Sequence, residues 1–285
     1  MNKVLSLIFA SFLAFNVQAQ SGHDSHDSSD SHAVDSVGSS HSFGKSHKEK
    51  SSRVSKKSHG SGAHWGYEGK GGPEHWGDMK RSYATCKIGR QQSPIDIRGG
   101  VTAFVPPINF NYKDVSLEVL NNGHTIQVQR PGGGYIWVGN NRFELAQFHF
   151  HGLSEHIVNG VSYPMEMHLV HKDSHGNLAV VGVFIKEGRH NSELDKAWKI
   201  MPKNSGDTKH ATVQLNAADM LPDDRNYFHY MGSLTTPPCS ENVRWFVLRT
   251  PIEASAKQIK KFGDVMPYNA RPAQPMYNRF ILMSE

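Results

Sequence analysis

The strongest constraint on this chain's fold is the texture that begins at Trp65, where short apolar runs are each stopped by glycine, proline or asparagine. The runs are Val119 to Gln129, Phe143 to His151, Val161 to His171, Leu178 to Lys186 and Val243 to Arg249. They are rich in Val, Ile and Phe, and turn signals such as Asn121-Asn122-Gly123 and Pro131-Gly132-Gly133-Gly134 separate them. Runs of this length and composition read as strands. Helical patterns are confined to Ser192 to Ile200 and Ala254 to Met266. No internal repeat is visible. The expectation is one mainly β (α+β) domain over residues 64–285, and about 220 residues can bury a substantial core.

Residues 1–63 are of another kind. Met1-Asn2-Lys3 is a short positive start, Val4 to Phe15 is apolar, and Val17 and Ala19 offer small residues at a cleavage site. Residues 1–19 therefore read as a signal peptide cut near Ala19, which predicts an exported protein, periplasmic or secreted. The apolar run is too short to span a bilayer, and no later stretch approaches the ~20 apolar residues a span needs, so no membrane insertion is expected. Residues 20–63 are almost entirely Ser, His, Asp, Gly and Lys. Such a segment cannot offset its ordering entropy by burial and reads as a disordered tail. It carries His23, His26, His32, His41, His47 and His59, which would bind zinc, nickel or copper weakly or simply solvate a spacer.

Charge excludes one class of partner. From Trp65 to Glu285 there are 24 Lys/Arg against 21 Asp/Glu, spread evenly and without a basic stripe interleaved with aromatics, so no nucleic acid is expected. Cys86 and Cys239 are the only cysteines. In an oxidising compartment an even pair reads as a disulfide, and neither has the nearby second cysteine that zinc ligation favours.

The chemistry sits in Gln147-Phe148-His149-Phe150-His151. On a strand, Gln147, His149 and His151 share one face and the phenylalanines the other. In Glu166-Met167-His168-Leu169-Val170, Glu166, His168 and Val170 likewise share a face. An antiparallel pairing of the two would gather three imidazoles. Three neutral ligands leave a dication's charge uncompensated and a fourth tetrahedral position open. Gln147 and Glu166 could each accept a ligand's remaining N–H. The spacing His149-x-His151-x3-Glu155 is also that of a cupin, but Phe143 stands where that motif needs glycine.

These residues belong to a longer series: His64-Trp65-Gly66-Tyr67, Gly72-Pro73-Glu74-His75-Trp76, Gln92-Ser93-Pro94-Ile95-Asp96-Ile97, Asn121-Asn122-Gly123-His124, Ser154-Glu155-His156, Gly232-Ser233-Leu234-Thr235-Thr236-Pro237-Pro238 and Asn269-Ala270-Arg271-Pro272. The series resembles the alpha carbonic anhydrases, bacterial periplasmic type, from Trp65 to the C-terminus. That resemblance implies a central twisted, mostly antiparallel sheet with a few surface helices. It also implies reversible hydration of carbon dioxide to bicarbonate by zinc-bound hydroxide, with His149, His151 and His168 as ligands of Zn2+. Thr235 would accept from the hydroxide and donate to Glu155. Val170, Val180, Leu234, Thr236, Val243 and Trp245 would line the substrate wall with Thr235. His124 would shuttle protons, an unperturbed imidazole near 6.5 suiting a donor near 7. Gln127 stands where many vertebrate relatives carry asparagine. His156 and His171 read as structural. Monomer and homodimer both remain open.

Overall fold

Side-chain alternation decides how the strands are used. In the strand Asn141–His151, Phe143, Leu145, Phe148 and Phe150 are buried in the main core, and the intervening residues turn the other way. Met165–Lys172 and Leu178–Glu187 repeat the division: Leu169, Val181 and Val183 join the main core, while Val180 and Phe184 join a second cluster on the opposite face. Both faces are covered, which is why these strands read as nearly continuous apolar runs. Full burial of one such phenylalanine contributes about 1.5–3 kcal/mol.

The computed structural model describes residues 64–129 and 132–285; the expected signal peptide 1–19 and tail 20–63 lie outside the described residues. Twelve strands among them form one twisted sheet. Its order runs Thr208–Leu215, Val115–Asn121, Ile126–Gln129, Asn141–His151, Met165–Lys172, Leu178–Glu187, Glu241–Ala254, Tyr227–Ser233, Leu282–Met283 and Val101–Thr102. Ile108–Tyr112 and Gly134–Val138 pair beside Asn141–His151. Most pairings are antiparallel; Leu178–Glu187 with Glu241–Ala254, and Leu282–Met283 with Val101–Thr102, are parallel. A separate small sheet joins Asp96–Ile97, Ile157–Val158 and Val161–Ser162.

Two expected strands are divided. Val119 to Gln129 folds as an antiparallel hairpin, because Asn122 Oδ1 accepts from His124 N and Thr125 N and reverses the chain. The run from Val161 to His171 breaks at Tyr163-Pro164 into Val161–Ser162 and Met165–Lys172, proline having no N–H for a ladder.

The helices pack on the phenylalanine face. Ser192–Ile200 is capped by Asn191, whose side chain accepts from Glu193 N and Leu194 N, and it buries Leu194, Ala197 and Trp198 at helical spacing. Ala256–Gly263 starts at a Ser255–Gln258 capping box and buries Phe262. Trp198 meets Phe150 edge-on at 4.7 Å between ring centroids. Among the described residues no helix is long and apolar enough to cross a membrane. The helices shield one face of the Asn141–His151 strand; the other face is left to the histidines.

Candidate active site

The antiparallel pairing of Met165–Lys172 with Asn141–His151 sets His168 directly opposite His149 and Glu166 opposite His151. Three imidazoles from two strands thus meet, with ring centroids 4.5–5.3 Å apart. One nitrogen from each lies within 4.8 Å of the others.

The remaining nitrogens are all committed. His149 Nδ1 donates to Gln147 Oε1 (2.9 Å), His151 Nδ1 to Asn269 O (2.7 Å) and His168 Nε2 to Glu166 Oε1 (2.9 Å). These acceptors select one tautomer for each ring, leaving lone pairs on His149 Nε2, His151 Nε2 and His168 Nδ1. Burial, with the neighbouring imidazoles, holds His149 well below the usual histidine range; burial also lowers His151. For His168 burial works the same way, but the Glu166 carboxylate, with Glu155 adding to it, leaves the ring raised. His151 Nε2 is buried without a hydrogen-bond partner. An orphaned lone pair in a dry site is costly unless something accepts it, and this nitrogen with the facing nitrogens of His149 and His168 fits a borderline-soft dication such as zinc.

A second group, His156, Glu166 and His168, has the same ligand spacing. Its atoms are already satisfied. Glu166 accepts from His156 Nδ1, His156 N and His168 Nε2, and His156 Nε2 accepts from Tyr230. It is a hydrogen-bonded support and not a second metal centre.

An apolar band lies beside the triad. Val170 pairs with Val180, and Val180 with Trp245, across three adjacent strands. Val180, Val243 and Trp245 are buried in one cluster, with Val170 and Leu234 packed against it, and the Trp245 ring stands 4.8 Å from that of His168. Thr235, buried, and Thr236, half-buried, follow on the loop after Tyr227–Ser233. That loop is closed by Cys239 N donating to Thr236 O and Leu234 N to Ser240 O. The Cys86–Cys239 disulfide, with Cα atoms 5.0 Å apart, anchors it to the N-terminal segment.

One expected contact is absent. Glu155 makes no hydrogen bond to Thr235: its Oε1 accepts from Arg271 N (2.8 Å), and its Oε2 has no partner. Oε2 instead faces the imidazoles, 3.4 Å from His151 Nε2.

A family model for eukaryotic-type carbonic anhydrase matches residues 71–285. The chain belongs to the alpha carbonic anhydrase family. It is 46% identical over 227 residues to a carbonic anhydrase of Nostoc sp., covering 76% of this chain and 85% of that one. It is 43% identical over 223 residues to a carbonic anhydrase of Klebsiella pneumoniae, covering 77% and 91%. Its fold matches the alpha-carbonic anhydrase of Thermovibrio ammonificans, solved with the inhibitor sulfanilamide, with a TM-score of 0.76 and 50% identity, covering 78% and 99%. The chain is thus an enzyme of the carbonic anhydrase class.

In this carbonic anhydrase the turn residue His124 departs from its expected titration. Its ring stacks on Trp65 (centroids 3.6 Å apart, planes within 8°), with His64 on it at 5.0 Å. Burial, helped by the His64 imidazole, lowers it to about 4. Gln127 is reached by Asn122 Nδ2 at 3.5 Å. Three supports went unassigned in the sequence. Asn269 supplies the acceptor for His151, Arg271 the main-chain donor for Glu155, and Tyr230 the donor for His156. Asn269 and Arg271 do lie in the Asn269-Ala270-Arg271-Pro272 motif. No local pattern, however, says that a main-chain atom far along the chain faces a ligand.

Proposed function

We propose that His149 Nε2, His151 Nε2 and His168 Nδ1 hold Zn2+ and that the enzyme hydrates carbon dioxide reversibly to bicarbonate and a proton. The observation that carries this is the nitrogen-by-nitrogen arrangement: each imidazole gives one nitrogen to a protein acceptor and turns the other to a common point. Bound zinc supplies the nucleophile by lowering its water's pKa to about 7, a figure for which this family is the standard example.

The chain's own residues do the rest. Gln147, Glu166 and Asn269 O orient the three rings, so the lone pairs need no rearrangement when the metal enters. Val170, Val180, Leu234, Val243 and Trp245 offer carbon dioxide, which is small and apolar, a dry wall beside His168. Thr235 and Thr236 follow Leu234 on the loop beside that wall, and Glu155 sets its free oxygen 3.4 Å from His151 Nε2. His124 carries the released proton outward. In its stack, with its pKa lowered to about 4, it is a poor acceptor for a donor near 7, so transfer favours a ring freed from Trp65.

Export to the periplasm, after cleavage near Ala19, is supported by the apolar N-terminal run and by the disulfide. Metal analysis, with stopped-flow hydration before and after chelation, tests the whole reading. One zinc per chain and activity lost on chelation are expected. Full activity in metal-free protein overturns it.

A further inference from the structure

We propose that Thr125 is a positioning residue for proton release, its buried hydroxyl clamping the turn that carries His124 to the strand between the metal ligands His149 and His151. This rests on His124 being the proton carrier.

The turn is first made rigid by its own bonds. Asn122 Oδ1 accepts from His124 N (2.9 Å) and Thr125 N (2.8 Å), and Asn122 N donates to Thr125 O (3.2 Å). Gly123, at φ 83°, supplies the left-handed step that a side chain would strain, and its N donates to Asn121 Oδ1 (3.0 Å). Residues tied to one another in this way move as a body. Where that body sits depends on what joins it to the rest of the sheet.

The join is made at Phe150. Main-chain pairing of Ile126–Gln129 with Asn141–His151 ends with Gln127 opposite His149. Beyond that point a side chain takes over: Thr125 Oγ1 donates to Phe150 O (2.6 Å) and accepts from Phe150 N (3.3 Å). Asn269 Nδ2 fills the second lone pair of Phe150 O (2.9 Å) and also donates to His124 O (3.1 Å). Thr125, Phe150 and Asn269 are all buried, so water does not compete for these groups. Phe150 is the single residue between two ligands, and its N and O cannot shift without carrying His149 or His151 along.

The hydroxyl therefore does more than satisfy two main-chain groups. Proton transfer needs a carrier at a set distance from its donor, and a small misplacement is costly. His124 has its own N and O held, and the residue after it is clamped, so its Cα is a fixed pivot. The imidazole, stacked on Trp65 with centroids 3.6 Å apart, can leave that ring by rotation about its own side-chain bonds. The ring swings while the turn stays in place.

The test uses the intact zinc protein. Thr125→Val keeps the branched shape and removes the hydroxyl. Turnover in weak buffer should fall about fivefold, within the roughly 10²-fold that a misplacement of about 1 Å can cost. Because kcat/KM reports the steps before proton release, it should stay within about twofold of wild type, with zinc retained. Small imidazole buffers should restore kcat, and Thr125→Ser, which returns the hydroxyl, should behave as wild type. In a His124→Ala background, Thr125→Val should have no further effect in weak buffer. Wild-type turnover in Thr125→Val, an equal fall in kcat and kcat/KM, or factors that multiply in the double variant overturns the proposal. NMR of the wild type tests the clamp itself, whether or not Thr125→Val folds. The Thr125 hydroxyl proton must be protected from exchange with water, and exchange at the rate of an exposed threonine overturns the proposal. His124→Ala with wild-type turnover in weak buffer defeats the proton-carrier reading, an outcome distinct from these.

Discussion

His149 and His168 stand directly opposite one another on adjacent antiparallel strands, with ring centroids 5.3 Å apart. This cross-strand pair, and not the His149-x-His151 spacing alone, makes a three-nitrogen site. Replacing His149, His151 or His168 with alanine should therefore abolish both bound zinc and hydration, leaving the fold intact by circular dichroism. Gln147→Ala removes only the acceptor behind His149, and its zinc affinity should fall about 10–100-fold. Competition with a fluorescent chelator measures both effects. Unchanged zinc content in any of the three histidine variants contradicts the assignment.

Reducing the Cys86–Cys239 bond should destabilise the domain and loosen the Thr235 loop. The residues are 153 apart in sequence. Closing such a loop stabilises by up to about 5 kcal/mol in the chain-entropy model. Denaturant unfolding of Cys86→Ala/Cys239→Ala against wild type should show a lower midpoint, and kcat should fall because Leu234 and Thr235 lose their anchor. Equal midpoints and equal kcat would show that the bond does neither.

His171 makes stability pH-dependent in a defined direction. Burial holds its folded-state value at about 3, against 6.5 for the free side chain. The unfolded chain therefore binds a proton that the folded one refuses, and stability is lost as pH falls from about 6.5 towards 3. The neutral ring is matched to its site, with Tyr112 Oη 2.7 Å from its Nε2. His171→Gln should flatten unfolding free energy against pH between pH 6 and 4 by about 1.4 kcal/mol per pH unit. An unaltered slope refutes the assignment.

Trp65→Ala should raise His124 from about 4 towards its ordinary value, since burial is the main cause of the lowering and the indole lies stacked on the ring. A proton NMR titration reads this directly, and turnover in weak buffer should rise with it. His124→Ala should slow turnover in weak buffer only, with small imidazole buffers restoring it. A His124 value unmoved by removing Trp65 would assign the depression to other neighbours.

Several features were legible because they are local. The two-residue period of a strand puts Gln147, His149 and His151 on one face whatever the strand pairs with, and it does the same for Glu166 and His168. Helix Ser192–Ile200 follows from its own apolar spacing and its Asn191 cap. The expected strand from Val119 to Gln129 went wrong locally too, because Asn122-Gly123 makes a hairpin inside what composition alone reads as one run.

Other features needed the folded chain. His151 finds its acceptor 118 residues away at Asn269 O, and Ser93 meets Tyr230 across 137. Glu155 gives one oxygen to Arg271 N, 116 residues on, and makes no hydrogen bond to Thr235. Burial in a stack with Trp65, with the His64 imidazole nearby, lowers His124, an effect of packing that leaves no mark in the sequence around it. Sequence by itself determined which side chains share a face, because backbone geometry sets that residue by residue. Which faces meet, in what register, and how dry the meeting place is were decided by tertiary structure, because hydrogen-bond direction and imidazole charge respond to neighbours brought from distant parts of the chain.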